Sequence, residues 1–191
     1  KSFRREVVQE KHAHDYVSYV DKASEKKVVS ALRKLLPEAG FIAEEGSAAY
    51  SDETYCWVVD PLDGTTNYIH DNAPYCVSIA LRDKQSLLLG VVYEPCRDEC
   101  FYAWKGGGAY VNGERLRVSL VSEPKDAFVV TELPYNFEQY ARTGEHLIHE
   151  LYGKVAGIRM NGSAALALCY VAAGRFDAWL EAFIGKWDFS A

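Results

Sequence analysis

Residues 57–67 read Trp-Val-Val-Asp-Pro-Leu-Asp-Gly-Thr-Thr-Asn. The apolar run at residues 55–59 is β-branched and aromatic and ends in turn residues, which predicts a buried strand. The proline after Asp60 keeps that residue extended, and the glycine after Asp63 turns the chain. Carboxylates at a strand end can bind divalent cations, and N–H groups after a glycine can bind phosphate. The stretch therefore predicts a combined metal and phosphate site.

The composition is that of an ordinary globular protein. The chain has 191 residues, of which 49% are hydrophobic and 25% charged, and its net charge is −6. This charge argues against nucleic acid as the main partner and suits a protein that gathers carboxylates around cations. Five scattered cysteines predict no disulfide scaffold and favour the cytoplasm. No apolar run approaches the ~20 residues of a membrane span.

The first 120 residues predict an α+β half. An apolar stripe predicts a helix that begins with Asp21 or Ser24 as its N-cap and ends at Pro37. A strand follows at residues 41–43. After a loop or short helix at residues 68–74, an antiparallel meander is predicted, with Asn112-Gly113 as a hairpin turn. The strands of this meander are predicted at residues 75–81, 87–93, 99–104, 109–111 and 115–119.

Residues 121–191 predict a second half in which strands and helices alternate. The predicted strands are residues 127–131, 155–159 and 176–180, and the predicted helices are residues 138–151 and 162–173. A helix, a meander and then alternating elements indicate a layered α/β or α+β enzyme.

Four acidic residues are candidates for metal binding, namely Glu44, Asp60, Asp63 and Asp188. Four carboxylates brought together would repel one another unless cations lay between them, and magnesium suits such oxygen-rich sites. Taken singly, Asp60 is favoured as a turn cap, Glu44 as a surface acid and Asp188 as a helix cap, and only the stretch as a whole favours a metal site.

The stretch Asp60-Pro61-Leu62-Asp63-Gly64-Thr65-Thr66-Asn67 resembles the signature of the inositol monophosphatase family, which comprises metal-dependent phosphomonoesterases. Trp187-Asp188 resembles the start of that family's second signature. Further matches lie at residues 41–45, 90–93, 106–109, 112–113 and 162–165, so the resemblance runs from about Asp15 to Ala191. It implies a layered αβαβα sandwich and a homodimer. Family members continue some tens of residues past the Trp-Asp pair, so we expect the second half to lack its closing elements.

The resemblance also implies a set of magnesium ligands. Glu44, Asp60 and the backbone carbonyl of Leu62 would bind the first ion. Asp60, Asp63 and Asp188 would bind the second ion. A third, weaker ion would use Glu44 through water, with Lys11 as a candidate neighbour.

Catalytic and substrate-binding roles follow from the same resemblance. Thr65, with Glu44 and Asp21 behind it, would orient and deprotonate the attacking water. The backbone of Gly64, Thr65 and Thr66 would hold the phosphate. The substrate's hydroxyl-bearing part would meet Ser163, Ala164 and Glu181, and Asp188 would lie near the leaving oxygen. Alternatives stay open: Asp21 as a helix cap, Ser163 and Ala164 as small packing residues, and Glu181 as a surface acid.

The expected function is magnesium-dependent hydrolysis of a small polyol or sugar phosphate, with inositol monophosphate as the main candidate. Thr66-Asn67 resembles the inositol branch of the superfamily. The alternatives are fructose-1,6-bisphosphatase activity, 3′,5′-bisphosphate nucleotidase activity, and a noncatalytic metal- or phosphate-binding relative.

Overall fold

A computed structural model describes residues 9–12, 15–17, 19–133 and 137–191, the first two ranges as backbone only. The elements of the first half are β1 (Gln9–His12), β2 (Asp15–Val17), α1 (Tyr19–Leu35), β3 (Gly40–Ala43), β4 (Cys56–Asp63), α2 (Thr65–Ile69), β5 (Cys76–Arg82), β6 (Leu87–Glu94), β7 (Glu99–Trp104), β8 (Gly108–Val111) and β9 (Glu114–Arg115). The second half contains a 3₁₀ turn (Pro124–Asp126), β10 (Phe128–Thr131), α3 (Phe137–Leu151), β11 (Gly157–Arg159), α4 (Ala164–Ala172), β12 (Ala178–Leu180) and α5 (Lys186–Phe189).

Two sheets carry most of these strands. The larger has seven strands in the chain order β3 to β9, with β3 parallel to β4 and every later neighbour antiparallel. The smaller has the order β11-β10-β12, with both pairs parallel, because helices connect its strands. The predicted meander and the mixed α/β class are confirmed. The predicted division near residue 120 stays a prediction.

Helices cover the two faces of the larger sheet. On one face, Val29 and Leu32 of α1 pack against Phe41, Trp57 and Val59, and each fully buried aliphatic side chain contributes roughly 1.5–3 kcal/mol. On the other face, α4 lies between the two sheets, and its apolar residues pack against both of them. The residues of this second cluster are Cys76, Val92, Phe101, Val130, Ala165, Leu166, Ala167, Tyr170 and Phe176.

Strand β4 contains a bulge at the centre of the decisive stretch. Asp60 lies opposite Ser78 and Asp63 lies opposite Cys76, so β4 has one more residue than β5 between these pairs. Side chains alternate between faces along a strand, and residues three apart in a regular strand would point in opposite directions. The extra residue of the bulge shifts this alternation by one position, so the side chains of Asp60 and Asp63 lie on the same face of the sheet.

Three predicted boundaries are wrong. The strand does not end before Asp60 but continues to Asp63, because the bulge accommodates the proline that lacks an N–H donor. Helix α1 begins at Tyr19, so Asp21 lies inside its first turn and is not the N-cap. The strand predicted at residues 115–119 is only Glu114–Arg115, although the Leu116 N–H still donates to the Ala109 carbonyl at 2.8 Å. None of the helices in the described ranges has the length and hydrophobicity of a membrane span.

Candidate metal and phosphate site

Three carboxylates converge at the end of β4. Asp60, Asp63 and Asp188 each offer an oxygen within 4.8 Å of the others. The first two come from the bulged strand, and the third comes from α5, which packs against β4 and β5. The hydroxyl of Ser78 on β5 donates to the carbonyl of Trp187 at 3.1 Å, which fixes α5 beside the strand.

Burial makes this group of acids costly to ionise together. Burial raises the pKa of Asp60 well above its ordinary value, and the carboxylates of Glu44, Asp63 and Asp188 raise it further. Burial and Asp63 together raise the pKa of Asp188 to about 6. Buried like charges of this kind are stabilised by a cation between them. Carboxylate oxygens are the ligands that Mg²⁺ prefers, so the donor set fits a divalent metal of this type.

Asp63 is fixed by the start of α4. The Ser163 hydroxyl donates to Asp63 Oδ2 at 2.6 Å, and the Ala165 N–H donates to the same oxygen at 2.8 Å. Burial raises the pKa of Asp63, while these hydrogen bonds oppose the rise. Both bonds end on Oδ2 and hold the Asp63 carboxylate at the start of α4. Ser163 also caps α4 by accepting from the Leu166 N–H at 3.4 Å.

Glu44 reaches the site from β3. Its N–H donates to the carbonyl of Val59 at 3.1 Å, which extends the parallel pairing of β3 and β4 by one residue. Glu44 therefore enters the cavity beside Asp60. It lines the same cavity but is not part of the group of three closest carboxylates.

Thr65 links the phosphate-binding turn to α1. Its hydroxyl lies 2.8 Å from Asp21 Oδ1 and 3.0 Å from the carbonyl of Leu62, and it can donate to either. Asp21 is 1% exposed. With its proton directed at one of these acceptors, the Thr65 oxygen can accept a proton from a water in the cavity.

Gly64 allows the turn between β4 and α2. Its φ of 90° lies in the left-handed region, which glycine adopts without strain. A Cβ here would lie 3.0 Å from the Pro74 carbonyl and 3.1 Å from the Gly162 carbonyl. Asn67 ties the same segments together, because its Nδ2 donates to the carbonyls of Pro74 and Asn161 at 2.8 and 2.9 Å. The phosphate turn is thus fixed to the second half of the chain.

Two glutamates from the second half of the chain, Glu132 and Glu181, also line the cavity. Burial raises the pKa of Glu181 to about 8, and the negative charges of Glu132, Asp188 and Asp63 contribute to this rise. Glu181 Oε2 is buried without a hydrogen-bond partner among the described residues. Glu132, which sequence reasoning missed, accepts from the N–H groups of Asn161 and Gly162 at 2.5 and 2.8 Å. Burial raises its pKa as well.

These residues surround one cavity of about 370 Å³, within the range of roughly 300–1,000 Å³ typical of small-molecule sites. The described side chains that line it include no lysine, arginine or histidine. The lining residues are Glu44, Asp60, Leu62, Asp63, Gly64, Thr65, Thr66, Glu132, Leu133, Gly162, Ser163, Ala164, Glu181, Phe183, Ile184, Gly185, Trp187 and Asp188.

The structure thus brings nearly all of the predicted site residues together. Asp21 does not line the cavity but contacts Thr65, which does. Lys11 lies outside the residues whose side chains are described. Glu132 was missed because it belongs to no metal-binding pattern, and Asn67, although part of the quoted signature, was given no role in holding the site. No local signal identifies Glu132, since the loop it holds lies 29 residues away.

Comparisons with known proteins agree with this geometry. The sequence model of the inositol monophosphatase family matches residues 1–191. The chain is 42% identical to the Nus factor SuhB of Escherichia coli K12 over 95% of this chain and 68% of the relative. It is 41% identical to an inositol-1-monophosphatase of Rhizobium meliloti over 93% of this chain and 67% of the relative.

A solved structure shows the same fold. The extragenic suppressor protein suhB from Bartonella henselae superposes with a TM-score of 0.92 and 39% identity, over 96% of this chain and 71% of that one. The chain therefore spans about two thirds of the length of these relatives.

Proposed function

The chain belongs to the inositol monophosphatase family, and we propose that it is a magnesium-dependent phosphomonoesterase acting on a small polyol monophosphate such as inositol monophosphate. The observation that carries the proposal is the convergence of Asp60, Asp63 and Asp188 beside a threonine whose hydroxyl contacts Asp21. A noncatalytic descendant would not need both the acidic cluster and this hydroxyl.

The metal-binding part of the proposal uses the acids at the end of β4. Glu44, Asp60 and the Leu62 carbonyl would hold one Mg²⁺, and Asp60, Asp63 and Asp188 a second. A third, more weakly bound ion would use Glu44 through water. Bound Mg²⁺ would supply the positive charge that the described lining lacks, and a phosphate ester needs that charge for hydrolysis.

The remaining chemistry falls to the chain's own residues. A water beside Thr65 would attack phosphorus and give a proton to Thr65 Oγ1, while the Thr65 proton passes to Asp21 over the 2.8 Å contact. The bond between phosphorus and the ester oxygen would break, and the leaving oxygen would take a proton from a solvent water. Asp21 would return its proton to solvent through Thr65 after product release. The N–H groups of the Gly64–Thr66 turn would hold the phosphate oxygens in this arrangement.

The cavity lining favours monophosphates over bisphosphates. Glu132, Glu181 and Ala164, all from the second half of the chain, line the cavity, and the alcohol part of the ester would lie against them. Carboxyl groups accept hydrogen bonds from polyol hydroxyls but offer no positive charge to a second phosphate. This observation weighs against fructose-1,6-bisphosphate and 3′,5′-bisphosphate nucleotides.

A second candidate function is a noncatalytic role. It is favoured by the relatives that are named Nus factors rather than for an enzymatic activity.

The proposal also includes a homodimer and a cytoplasmic location. Five free cysteines support that location, and analytical ultracentrifugation would measure the dimer.

The proposal is tested by phosphate release from inositol 1-phosphate, glycerol phosphate, fructose 1,6-bisphosphate and a 3′,5′-bisphosphate nucleotide, with and without Mg²⁺. We expect the wild type to release phosphate only with Mg²⁺ and fastest from the polyol monophosphates, and Asp63→Asn to lose this activity. Equal, slow release by wild type and Asp63→Asn on every substrate would remove the enzyme proposal and favour the noncatalytic one.

A further inference from the structure

Helix α1 contains a buried carboxylate that does not line the cavity. Glu25 is 0% exposed. Its Oε2 accepts from the Glu45 N–H, and its Oε1 accepts from the Ser47 N–H, both at 2.7 Å. Both oxygens of one buried side chain are thus used to hold the backbone of the loop that begins directly after Glu44.

The other side of Glu44 is held by the sheet. Its N–H donates to the Val59 carbonyl at 3.1 Å at the end of the β3–β4 pairing. After β3 ends at Ala43, the Gly46 N–H turns back to donate to the Ala43 carbonyl at 3.2 Å. The N–H groups on either side of Gly46, those of Glu45 and Ser47, donate to Glu25. The direction of the Glu44 side chain therefore depends on a strand before it and on Glu25 after it.

The same turn of α1 contacts two further parts of the site. Asp21 accepts from the Thr65 hydroxyl at 2.8 Å, and the Ser24 hydroxyl donates to the Pro61 carbonyl at 3.1 Å. Residues four apart lie on one face of a helix, so Asp21 and Glu25 face the same side. One helical turn therefore fixes the positions of three separate segments relative to one another.

We propose that Glu25 is a positioning residue for the metal site: its carboxylate fixes residues 45–47 and, through them, the direction of Glu44. This inference rests on the proposed function, in which Glu44 is a metal ligand. Groups that orient metal ligands typically affect metal affinity 10- to 100-fold when they are mutated. Glu25 acts here through the backbone next to the ligand.

The chain offers a matched control. Glu94 is also 0% exposed, and it accepts from the Cys96 and Arg97 N–H groups at 2.9 and 2.6 Å. It holds a turn of the larger sheet and does not line the cavity. Replacing either glutamate by glutamine removes one acceptor from a buried pair of bonds, so both variants lose the same kind of contact.

The test measures Mg²⁺ binding by isothermal titration calorimetry and urea unfolding for wild type, Glu25→Gln and Glu94→Gln. We expect Glu25→Gln to weaken Mg²⁺ binding roughly 10- to 100-fold and Glu94→Gln to leave it unchanged, although both variants unfold at lower urea concentration. Phosphate release by Glu25→Gln should recover as Mg²⁺ is raised. Equal Mg²⁺ affinities for the two variants would overturn the inference.

Two further outcomes are also decisive. If Glu25→Gln does not fold, Glu25→Asp and Glu94→Asp replace the pair, since aspartate keeps the charge but is too short to make both bonds, and the same comparison applies. If the wild type binds Mg²⁺ but releases no phosphate, the proposed function fails, and the affinities still decide the role of Glu25. A wild type that does not bind Mg²⁺ overturns both.

Discussion

Asp60 and Asp63 are three residues apart in the chain but lie opposite Ser78 and Cys76, which are only two residues apart on β5. The extra residue in β4 is what allows both carboxylates to face one cavity. A bulge next to a functional site is a recurrent way of redirecting a side chain.

Ser163→Ala should weaken metal binding, because it removes the 2.6 Å bond that orients the Asp63 carboxylate. We expect the Mg²⁺ dissociation constant to rise by about 10-fold or more, by analogy with other partners of metal ligands. Isothermal titration calorimetry measures this constant. Ser163→Thr keeps the hydroxyl and should bind Mg²⁺ nearly as the wild type does. Equal weakening in both variants would point to packing around α4 instead.

Gly64→Ala should be more damaging than Gly113→Ala, although both glycines have a φ of 90°. A left-handed alanine costs about 1–2 kcal/mol at either position. At Gly64 the new Cβ would also lie 3.0 Å from the Pro74 carbonyl, whereas at Gly113 it meets nothing within 4 Å. Urea unfolding should show the larger loss of stability for Gly64→Ala. Only that variant should lose phosphatase activity, and identical losses would mean that the close approach is unimportant.

Asp21→Asn should slow catalysis without weakening metal binding. The Thr65 hydroxyl donates to Asp21 at 2.8 Å, and an amide is a far weaker proton acceptor than a carboxylate. We expect the rate at saturating substrate to fall roughly 10²–10⁴-fold, the range typical of general-base catalysis. The Mg²⁺ affinity should stay near that of the wild type. An unchanged rate would leave Asp21 with a structural role only.

The stability of the metal-free protein should depend on the ionisation of Glu181. Its folded pKa of about 8 is higher than the ordinary value of 4.5, so the folded state binds the proton more tightly than the unfolded state does. The contribution of the protonated side chain is complete below about pH 4.5 and is lost as the pH rises to about 8. Relative to Glu181→Gln, the wild type should therefore lose stability across this window.

Urea unfolding of both proteins at several pH values, in the presence of a chelator, measures that difference. A constant difference between the wild type and Glu181→Gln from pH 4.5 to 8 would contradict the raised pKa of Glu181.

Mg²⁺ should bind more weakly below about pH 6. Asp188, with a pKa of about 6, must lose its proton to serve as a ligand.

The sequence predicted the class of fold from local signals, and most of the residues in the cavity from the resemblance to the inositol monophosphatase family. The meander follows from alternating apolar residues, and the Asn112-Gly113 turn indeed has positive φ at both positions. The ligands at residues 60–64 were recognisable because they form a continuous motif. The Asp21 contact with Thr65 spans 44 residues, and its assignment came from the family resemblance.

The features that the sequence could not predict depend on contacts between residues that are far apart in the chain. The bulge at Asp60 is defined by the register against β5, which no pattern within β4 encodes. Glu132 and Asn67 reach loops that are 29 and 94 residues away. Glu25 had a usable signal, since it lies four residues after Asp21 on the same helical face, but its partner loop is fixed only in the folded chain.

The absence of lysine, arginine and histidine from the described lining of the cavity has a kinetic consequence. A phosphomonoester carries negative charge, and the described walls of the cavity offer it no attractive positive charge until a cation is bound. Under the proposed function, the cation must arrive before the ester, which imposes an order of arrival. The concentration of available magnesium, rather than that of the ester, would then govern how often a productive encounter occurs.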